Sequence, residues 1–458
     1  MSDIIETLTE LLGEAAVLTG SDVTARASSY WDASPMQAKA LVRPASTAEV
    51  AAVLRLCHQE NQSVVTHGGL TGCVQGSKSD GGDIILSMER MNRIEDIDTV
   101  SHTLTVQAGA VLENVQNQVA EAGMFLPLDL GARGSCTIGG NVATNAGGVN
   151  VIRYGMARAL VLGLEAVLPD GTVLSSMNRM LKNNAGFDLK QLFIGTEGAL
   201  GVVTRIVLRL QPQSTTRNTA LAALPNFAAI PLLLNHLKSS VGASLSAFEA
   251  MWGNYMREVT EYGWHKAPMD RSHSHYILFE CDGSDPARDD DRFMEVIEAA
   301  FEQGIIVDAV VPKSEAERKA IWAIRDDFEA IVSVKPVFLY DVSLPITSME
   351  AYVSDVERTL AELLPTGRLF TLGHIGDGNL HFFVQAHTDD PAARELSDRS
   401  IYEPLAAYNG SVSAEHGIGF EKKGWLQQSR SEAEIEVMRR LKHLFDPKGL
   451  LNAGVVVD

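Results

Sequence analysis

Two glycine-rich segments in the first third of the chain set the strongest limit on how it can fold. The first is THGGLTGCVQG at 66–76, with four glycines, and the second is PLDLGARGSCTIGGNVATNAGG at 127–148. Glycine lets a backbone pass close to a ligand and turn successive N–H groups towards phosphate oxygens. A hairpin tip needs fewer glycines than the first segment has, and loops as long as the second are usually functional. Both segments therefore predict cradles for a ligand, with a hairpin tip and a surface loop as the structural alternatives.

The usual nucleotide-binding fingerprints do not occur in the sequence. Neither GxGxxG nor GxxxxGK[ST] is present. In dinucleotide-binding and P-loop folds these patterns place the phosphates at the N-terminus of a helix in a βαβ unit. The ligand is therefore predicted to be large and phosphorylated, but to be held outside such a unit.

Hydrophobic periodicity predicts two architectures along the chain. Before residue 213, helix and strand signals alternate, with a capping box at Ser46 and Glu49 and a hairpin turn at Asp170-Gly171. From residue 213, strands and helices with longer loops predict a smaller α+β unit with an antiparallel sheet. SEAERKAIWAIRDDFEAIV is predicted to be one helix. The predicted domains are residues 1–212, 213–420 and a C-terminal segment, 421–458.

Length and charge narrow the class of protein. A chain of 458 residues is too long for one ordinary core, so two or three domains are expected. Its composition, 45% hydrophobic and 21% charged, is typical of a soluble globular protein. A formal net charge of −20 disfavours nucleic acid and anionic membrane as partners. A small anionic substrate stays compatible, because a local site can be positive on an acidic protein.

Cysteine usage and the N-terminus bear on cellular location. The cysteines are far apart and disfavour both a disulfide framework and structural zinc. The acidic stretch MSDIIETLTELLGEAAV predicts an amphipathic helix rather than a signal or transit peptide. No apolar run approaches ~18 residues, so no integral membrane segment is predicted and the cytoplasm is the expected location.

A further motif, GHIGDGNLHFF at 373–383, places His374 and His381 on either side of a turn of Gly, Asp and Asn. SAEHGIG at 413–419 adds Glu415 and His416. Imidazole and carboxylate donors together suit a divalent transition metal. The alternative is that the histidines pair with the polar residues of the turn and stiffen a hairpin, and spacing alone leaves both interpretations open.

Five segments together resemble one family. THGGLTGCVQG, PLDLGARGSCTIGGNVATNAGG, FIGTEGALGVV, GHIGDGNLHF and SAEHGIG are similar to segments of the FAD-dependent D-2-hydroxy acid dehydrogenases, which are flavoproteins of the vanillyl-alcohol-oxidase type. The family includes D-lactate and D-2-hydroxyglutarate dehydrogenases, and the resemblance extends from about Trp31 to Val456. It implies an α+β fold with a two-subdomain FAD-binding domain, an antiparallel-sheet, ferredoxin-like substrate domain and a C-terminal helical tail that returns to the FAD domain.

The resemblance also implies where FAD binds. Members with covalent FAD often carry a histidine directly after the paired glycines. Leu70 holds that place here and His67 precedes the glycines, so non-covalent FAD is expected. The residues implied to line the cofactor are Gly68, Gly69, Leu70, Thr71, Gly72, Cys73, Pro127, Gly131, Ser135, Thr137, Gly139, Asn141, Thr144, Gly148, Glu197, Gly201, Val202, Val203 and Asn452.

The family's metal site maps onto the histidine motif. Family members hold Zn or Mn with two histidines and one glutamate, which implies His374, His381 and Glu415 as ligands here. His416 would then lie beside the metal without binding it and would take the proton of the substrate hydroxyl, while the C2 hydride passes to flavin N5. The same donors suit non-haem iron, which a neighbouring flavin makes unnecessary.

The resemblance also suggests how substrate binds. Arg325, in IWAIRDDF, stands where the family has an arginine for the substrate carboxylate, and the alternative is a surface arginine paired with Glu329. D-2-hydroxyglutarate dehydrogenases bind a second carboxylate with Thr, Lys and Asn, at positions that here read Glu329, Leu339 and Phe383. A buried carboxylate without a partner is costly. These residues predict a monocarboxylate with an apolar tail, D-lactate or larger, with D-2-hydroxyglutarate as the alternative.

The expected partners follow from this chemistry. They are a small 2-hydroxy acid, an electron acceptor such as a quinone, an electron-transfer flavoprotein, a cytochrome or oxygen, and a second copy of the chain in a homodimer. Two rival functions remain. One is a flavin-bearing subunit of a glycolate-oxidase-like complex. The other is a non-redox transferase like alkylglycerone-phosphate synthase, which needs a membrane-facing surface that the sequence does not show.

Overall fold

The computed structural model describes residues 4–458, and they divide into two compact units. The first unit contains the chain up to residue 147, residues 155–213 and residues 415–458. The second contains residues 148–154 and 214–414. The sequence-based boundaries at residues 212 and 420 lie near these divisions, whereas the short segment 148–154 belongs to the second unit.

The strands alternate with helices along much of the chain. In chain order the strands are β1 (Val17–Leu18), β2 (Ala40–Val42), β3 (Val64–His67), β4 (Ile84–Ser87), β5 (Ile94–Asp98), β6 (Thr103–Gln107), β7 (Met124–Phe125), β8 (Val161–Val167), β9 (Val173–Ser176), β10 (Val202–Arg209), β11 (Gln211–Pro212), β12 (Thr216–Leu224), β13 (Leu245–Trp252), β14 (His275–Gly283), β15 (Asp308–Val310), β16 (Val337–Ser343), β17 (Arg368–Gly373) and β18 (Asn379–Gln385).

The α-helices range from single turns to long amphipathic segments. They are α1 (Ile4–Leu12), α2 (Ser21–Thr24), α3 (Thr47–Glu60), α4 (Leu112–Glu121), α5 (Ile138–Ala143), α6 (Val151–Tyr154), α7 (Ala157–Leu160), α8 (Ala229–Val241), α9 (Gly253–Arg257), α10 (Asp289–Glu302), α11 (Glu315–Asp326), α12 (Glu329–Val332), α13 (Ile346–Leu363), α14 (Ala393–Tyr402) and α15 (Glu432–Phe445).

The first unit contains two larger sheets. One has the strand order β1-β2-β4-β3, in which β2, β4 and β3 run parallel. The other is antiparallel, with the order β5-β6-β10-β8-β9. Because ligands of parallel sheets bind beyond the carboxyl ends of the strands, the end of β3 at His67 aims the first glycine-rich segment at such a position. The predicted hairpin at Asp170-Gly171 is confirmed by the pairing of β8 with β9.

The second unit is built on one seven-stranded sheet in the order β15-β12-β14-β13-β17-β18-β16. All of its strand pairs are antiparallel, so the predicted α+β class is confirmed. On one face, a core of large apolar side chains includes Met251, Phe370 and Phe383 and packs against residues of α11 and α12. On the other face, Phe382 lies against Tyr352 of α13, with ring centroids 6.0 Å apart.

Two local predictions need correction. Ser46 does begin α3 and its hydroxyl accepts from the Glu49 N–H, but the Glu49 carboxylate accepts from Ala45 instead of closing the capping box. The segment predicted as one helix over SEAERKAIWAIRDDFEAIV is broken at Asp327, whose backbone is extended. The Asp327 carboxylate accepts from the Glu329 N–H and lies 2.8 Å from His265, so it begins α12 as a separate turn.

Among residues 4–458, no helix is both long enough and apolar enough to cross a membrane.

Candidate active site

The motif with two histidines forms a tight turn in the second unit. β17 ends at Gly373, His374 opens a short 3₁₀ turn, and Gly378 enters β18 with a φ of 95°, a conformation that favours glycine. A Cβ on Gly373 would collide with the carbonyl oxygen of Asn379, so the two strands are drawn together. As a result the rings of His374 and His381 lie with centroids 5.2 Å apart, nearly perpendicular to each other.

The carboxylate of Glu415 lies close to the two histidines. One ligand atom each from His374, His381 and Glu415 lie within 4.8 Å of one another. Glu415 directly follows Ala414, whose N–H donates to the buried carboxylate of Asp341 at 2.8 Å. Two imidazoles and one carboxylate form a donor set that suits Zn or Mn, so these residues fit the metal that the family resemblance implies.

One buried carboxylate contacts His374, and a second lies beside His381 in the sheet. Glu249 Oε1 lies 2.7 Å from His374 Nδ1. Asp341 stands directly opposite His381 in the pairing of β16 with β18, where side chains of paired residues are neighbours. Histidines that bind metals usually have such a carboxylate partner, which fixes the tautomer and the ring orientation.

Glu249 also holds Arg325. The Arg325 Nε donates to Glu249 Oε2 at 2.8 Å, and its Nη2 lies 3.4 Å from the His374 ring nitrogens. Burial alone would raise the pKa of the Glu249 carboxyl, but the neighbouring His374 and Arg325 lower it below its usual value. Burial disfavours the charge of Arg325, but Glu249 and Asp326 raise the pKa of its guanidinium. Both members of the pair are therefore ionised at neutral pH.

The helix that carries Arg325 is fixed to the sheet. Glu280 on β14 accepts from Arg318 Nε and Nη2 at 2.6 and 3.1 Å and from Trp322 Nε1 at 2.8 Å. The hydroxyl of Tyr255 donates to the carbonyls of residues 324 and 325, close to the C-terminal end of α11. Arg325 is thus buried and rigidly placed. The alternative of a surface pair with Glu329 is wrong, because α11 ends before Glu329 and Arg325 pairs with Glu249.

The three residues predicted to set substrate choice are not all together. Phe383 and Leu339 belong to the apolar cluster below the histidines, where Phe328 packs on Phe383 with centroids 5.1 Å apart. Glu329, in contrast, is exposed and outside this cluster. Phe328, which precedes Glu329 in the sequence, contributes to this apolar wall instead.

The two glycine-rich segments meet in the first unit. A Cβ on Gly69 would collide with the carbonyl oxygen of Ser135, and one on Gly68 would lie 2.7 Å from Thr137 Oγ1. Thr137 begins α5, and its hydroxyl accepts from the Gly140 N–H at 3.3 Å. Only residues without side chains at positions 68 and 69 allow the two glycine-rich segments to pack this closely. The backbone there is not covered by side chains and forms a cradle suited to FAD phosphates.

Some of the other predicted cofactor residues have contacts that the structure defines, while their contact with the cofactor stays a prediction. Leu70 has a φ of 55° and packs on a small apolar cluster. Asn452 accepts from the Thr66 N–H and donates to the Glu197 carbonyl, both at 2.8 Å. The Thr66 hydroxyl is buried and has no hydrogen-bond partner among the described residues, so it is available to a cofactor. Val202 and Val203 are buried side chains at the start of β10.

Glu197 makes contacts that the sequence did not indicate. Its carboxylate accepts from the N–H groups of Ile418 and Gly419 at 2.6 and 2.9 Å. Burial raises the pKa of Glu197, and these two N–H groups offset part of that rise. The carboxylate therefore holds the loop that contains Glu415 and His416, while a direct contact of Glu197 with the cofactor stays a prediction.

Sequence reasoning missed Glu249, Asp341 and Glu280. Each is a buried acid within an otherwise apolar strand, in the segments SAFEAMW, FLYDVSLP and HYILFECDG. Acidic residues are almost never fully buried unless they are paired. An acid in an apolar strand was therefore the available signal, although it does not name the partner.

Two family models match the chain. The model described as "FAD linked oxidases, C-terminal domain" matches residues 213–456, and the model described as "FAD binding domain" matches residues 38–176.

Curated relatives match over most of their length. "D-2-hydroxyglutarate dehydrogenase, mitochondrial" of Bos taurus is 42% identical over 416 residues, which cover 90% of this chain and 76% of that protein. "D-2-hydroxyglutarate dehydrogenase" of Xanthomonas citri pv. viticola is 38% identical over 445 residues, covering 96% and 92%. A putative mitochondrial D-lactate dehydrogenase of Schizosaccharomyces pombe is 36% identical over 420 residues, covering 90% and 80%.

Solved structures with low sequence identity share the fold. A p-cresol methylhydroxylase superposes with a TM-score of 0.80 at 14% identity, covering 99% of this chain and 96% of that one. An alkyldihydroxyacetonephosphate synthase superposes with a TM-score of 0.77 at 18% identity, covering 99% and 85%. At such identities the likeness concerns the fold alone.

Proposed function

Because the chain belongs to the FAD-linked oxidases and, among them, to the D-2-hydroxy acid dehydrogenases, we propose that it oxidises a D-2-hydroxy acid to the 2-oxo acid with non-covalent FAD and one divalent metal ion. The predicted fold of the vanillyl-alcohol-oxidase type is confirmed. FAD as a cofactor and the class of oxidoreductase acting on a CH–OH group are confirmed as well.

The group formed by His374, His381 and Glu415 is the observation that supports the metal most directly. The hairpin interpretation does not require a carboxylate from a distant part of the sequence beside the two rings. The buried pairing of His374 with Glu249 gives that ring the orientation typical of a metal ligand. We therefore assign Zn or Mn to these three side chains.

The other parts of the reaction are assigned to side chains of this protein. Bound FAD supplies the hydride acceptor, and a bound metal ion supplies a Lewis acid that lowers the pKa of the substrate hydroxyl. We assign binding of the substrate carboxylate to Arg325, whose Nε donates to Glu249 and whose Nη2 lies beside His374. We assign removal of the hydroxyl proton to His416, which follows Glu415 in the sequence. We assign the exclusion of water from the site to the apolar wall formed by Phe383, Leu339 and Phe328.

The same apolar wall supports our proposal for the substrate. Phe383 is 4% exposed, and a distal carboxylate placed against it would lose its hydration without gaining a cation. We therefore propose a monocarboxylate with an apolar tail, from D-lactate to larger aliphatic or aromatic acids.

D-2-hydroxyglutarate is a second candidate, and a specific finding favours it. Most of the relatives described above carry its name, at 38–42% identity. For this substrate, a basic side chain outside the Phe383 cluster would have to reach the distal carboxylate. The two candidates differ only in the tail, so one experiment separates them.

The test is anaerobic mixing of pure protein with the D and L forms of lactate, a longer aliphatic acid, an aromatic acid and 2-hydroxyglutarate. We expect the D acids to bleach the flavin and the apolar monocarboxylates to exceed D-2-hydroxyglutarate in kcat/KM by roughly 10- to 100-fold. That range corresponds to about 1–3 kcal/mol for an imperfectly paired polar group. A preference for D-2-hydroxyglutarate would overturn the substrate proposal, and full turnover of exhaustively chelated, metal-free protein would overturn the metal.

The electron acceptor, the homodimer and the cytoplasmic location stay predictions. A quinone, an electron-transfer flavoprotein or a cytochrome each suits a flavin that has taken a hydride. Purification with or without other chains distinguishes a self-sufficient enzyme from a flavin-bearing subunit of a larger complex.

A further inference from the structure

One buried side chain beside the histidines has no hydrogen-bond partner. Asn379 is 3% exposed, and neither its amide nitrogen nor its amide oxygen makes a hydrogen bond within the described residues. It opens β18 directly after the turn that separates His374 from His381. Buried polar groups in native proteins are nearly always paired, so an unpaired amide at this place calls for a ligand.

Strand geometry places Asn379 on the same face of the sheet as the candidate site. Alternate residues of a strand share a face, so Asn379 projects from the face that carries His381 and Phe383. The opposite face carries Phe382, which packs on Tyr352. The amide therefore belongs to the row of side chains that contains one proposed metal ligand and one residue of the apolar wall.

A second buried amide on the same strand and the same face provides the contrast. Gln385 is fully buried, its Nε2 donates to the Ile331 carbonyl at 2.9 Å, and its Oε1 lies 3.1 Å from His387 Nε2. Among the described residues, both polar amide atoms of Gln385 therefore have hydrogen-bond partners, whereas neither amide atom of Asn379 has one. A fold that can pair one amide in this row and leaves the other unpaired is typical of a binding site, where stability is given up for function.

We propose that Asn379 binds the reacting end of the substrate, with Nδ2 donating to a carboxylate oxygen, which leaves the proton of the C2 hydroxyl to His416. The amide NH₂ is a donor and a carboxylate oxygen is an acceptor, so the two groups are complementary. Asn379 thereby fixes which face of C2 is offered for oxidation and acts as a substrate-positioning residue. This inference rests on the proposed function.

The test compares Asn379→Leu with the matched variant Gln385→Met. Both changes remove a buried amide from the same face of β18 and keep most of its volume. We expect Asn379→Leu to keep its FAD and its metal content and to melt at or above the wild-type Tm, because it removes an unpaired polar group. We expect Gln385→Met to melt lower, because it removes the hydrogen bonds that a buried amide makes with the Ile331 carbonyl and with His387.

Substrate binding is measured on the same proteins by anaerobic flavin reduction over a range of D-lactate and D-2-hydroxyglutarate concentrations. Asn379→Leu is expected to raise the half-saturating concentration of either acid 10-fold or more, whereas Gln385→Met leaves it within threefold of wild type. Half-saturation within threefold of wild type for Asn379→Leu, or a Tm lowered as far as in Gln385→Met, would overturn the role of Asn379. A wild-type flavin that no D-2-hydroxy acid reduces would overturn the proposed function and this inference with it.

Discussion

At the scale of single residues, the candidate site depends on acids that bind no ligand themselves. Glu249 is 1% exposed, yet it is satisfied on both oxygens by His374 and Arg325. The histidines and Glu415 could be predicted from the sequence because imidazoles in a glycine-rich turn are unusual and because the family resemblance names their partners. Glu249 could not be predicted, because its contacts join β13 to the end of β17 and to α11, and no local pattern records such a pairing.

Glu249→Gln should weaken metal binding while FAD is retained. A carboxamide has one acceptor oxygen, so it cannot satisfy both His374 and Arg325, and its NH₂ group would face one of their N–H groups. Loss of such a supporting contact usually lowers metal affinity about 10- to 100-fold. Titration of the metal against a chromogenic chelator gives the affinity, with Glu89→Gln in the exposed pair with Arg26 as control. An affinity within threefold of wild type would show that Glu249 does not orient His374.

At the scale of elements, the starts of helices and the turns were predictable from the sequence, whereas the break in a helix was not. Ser46 begins α3, and Ser431 with Glu434 forms a complete capping box on α15, because these signals act within a few residues. The end of α11 before Asp327 depends instead on His265 and on the Tyr255 hydroxyl, which come from distant parts of the chain. Long-range contacts of this kind override local helix propensity.

Glu280→Gln should loosen α11 and thereby displace Arg325. Glu280 accepts from Arg318, Trp322 and the Thr219 hydroxyl, and it is 6% exposed. Removing one partner of a buried ion pair typically costs about 3–5 kcal/mol, so we expect a clearly lower Tm.

The functional part of the same prediction concerns Arg325. A displaced guanidinium should raise the KM for the hydroxy acid while the FAD content stays unchanged. Glu362→Gln on α13, in an exposed pair with Arg358, is the control, for which a change of about 0–0.5 kcal/mol is expected. A Glu280 variant with lower stability but an unaltered KM would confine Glu280 to a structural role.

At the scale of the whole molecule, the chain leaves the first unit and returns to it. Residues 415–458 join the first unit after the second has been completed, and the tail is fastened there by the buried Lys442, which donates to Asp446 and to the Leu451 carbonyl. The returning tail was implied by the family resemblance, whereas the order of the seven strands in the second unit had no counterpart in the sequence pattern. Strand order depends on which apolar faces pack together. The hydrophobic periodicity of a strand shows which of its faces is apolar, but it does not show which strands lie beside it.

Each unit also contains one histidine that burial keeps neutral, which predicts how stability depends on pH. Burial lowers the pKa of His67 in the first unit and of His275 in the second from 6.5 to about 4. The unfolded chain therefore binds protons at these histidines below pH 6.5, whereas the folded chain does not until about pH 4. Each histidine thus removes stability progressively as the pH falls through this window, on the order of 1 kcal/mol between pH 6.5 and 5.5.

Two variants that cannot titrate test this prediction unit by unit. His67→Gln keeps a donor for the Ser77 carbonyl, which lies 2.9 Å from His67 Nε2. His275→Phe keeps a ring against Trp252, whose centroid lies 5.1 Å away. Urea unfolding of the FAD-loaded protein at pH 6.5 and 5.5 should show that each variant loses about 1 kcal/mol less than wild type over this interval. An unchanged pH dependence of the unfolding free energy in both variants would contradict this prediction. Neither ring could then be a site at which the unfolded chain takes up a proton that the folded chain does not, and other groups would have to account for the loss of stability in acid.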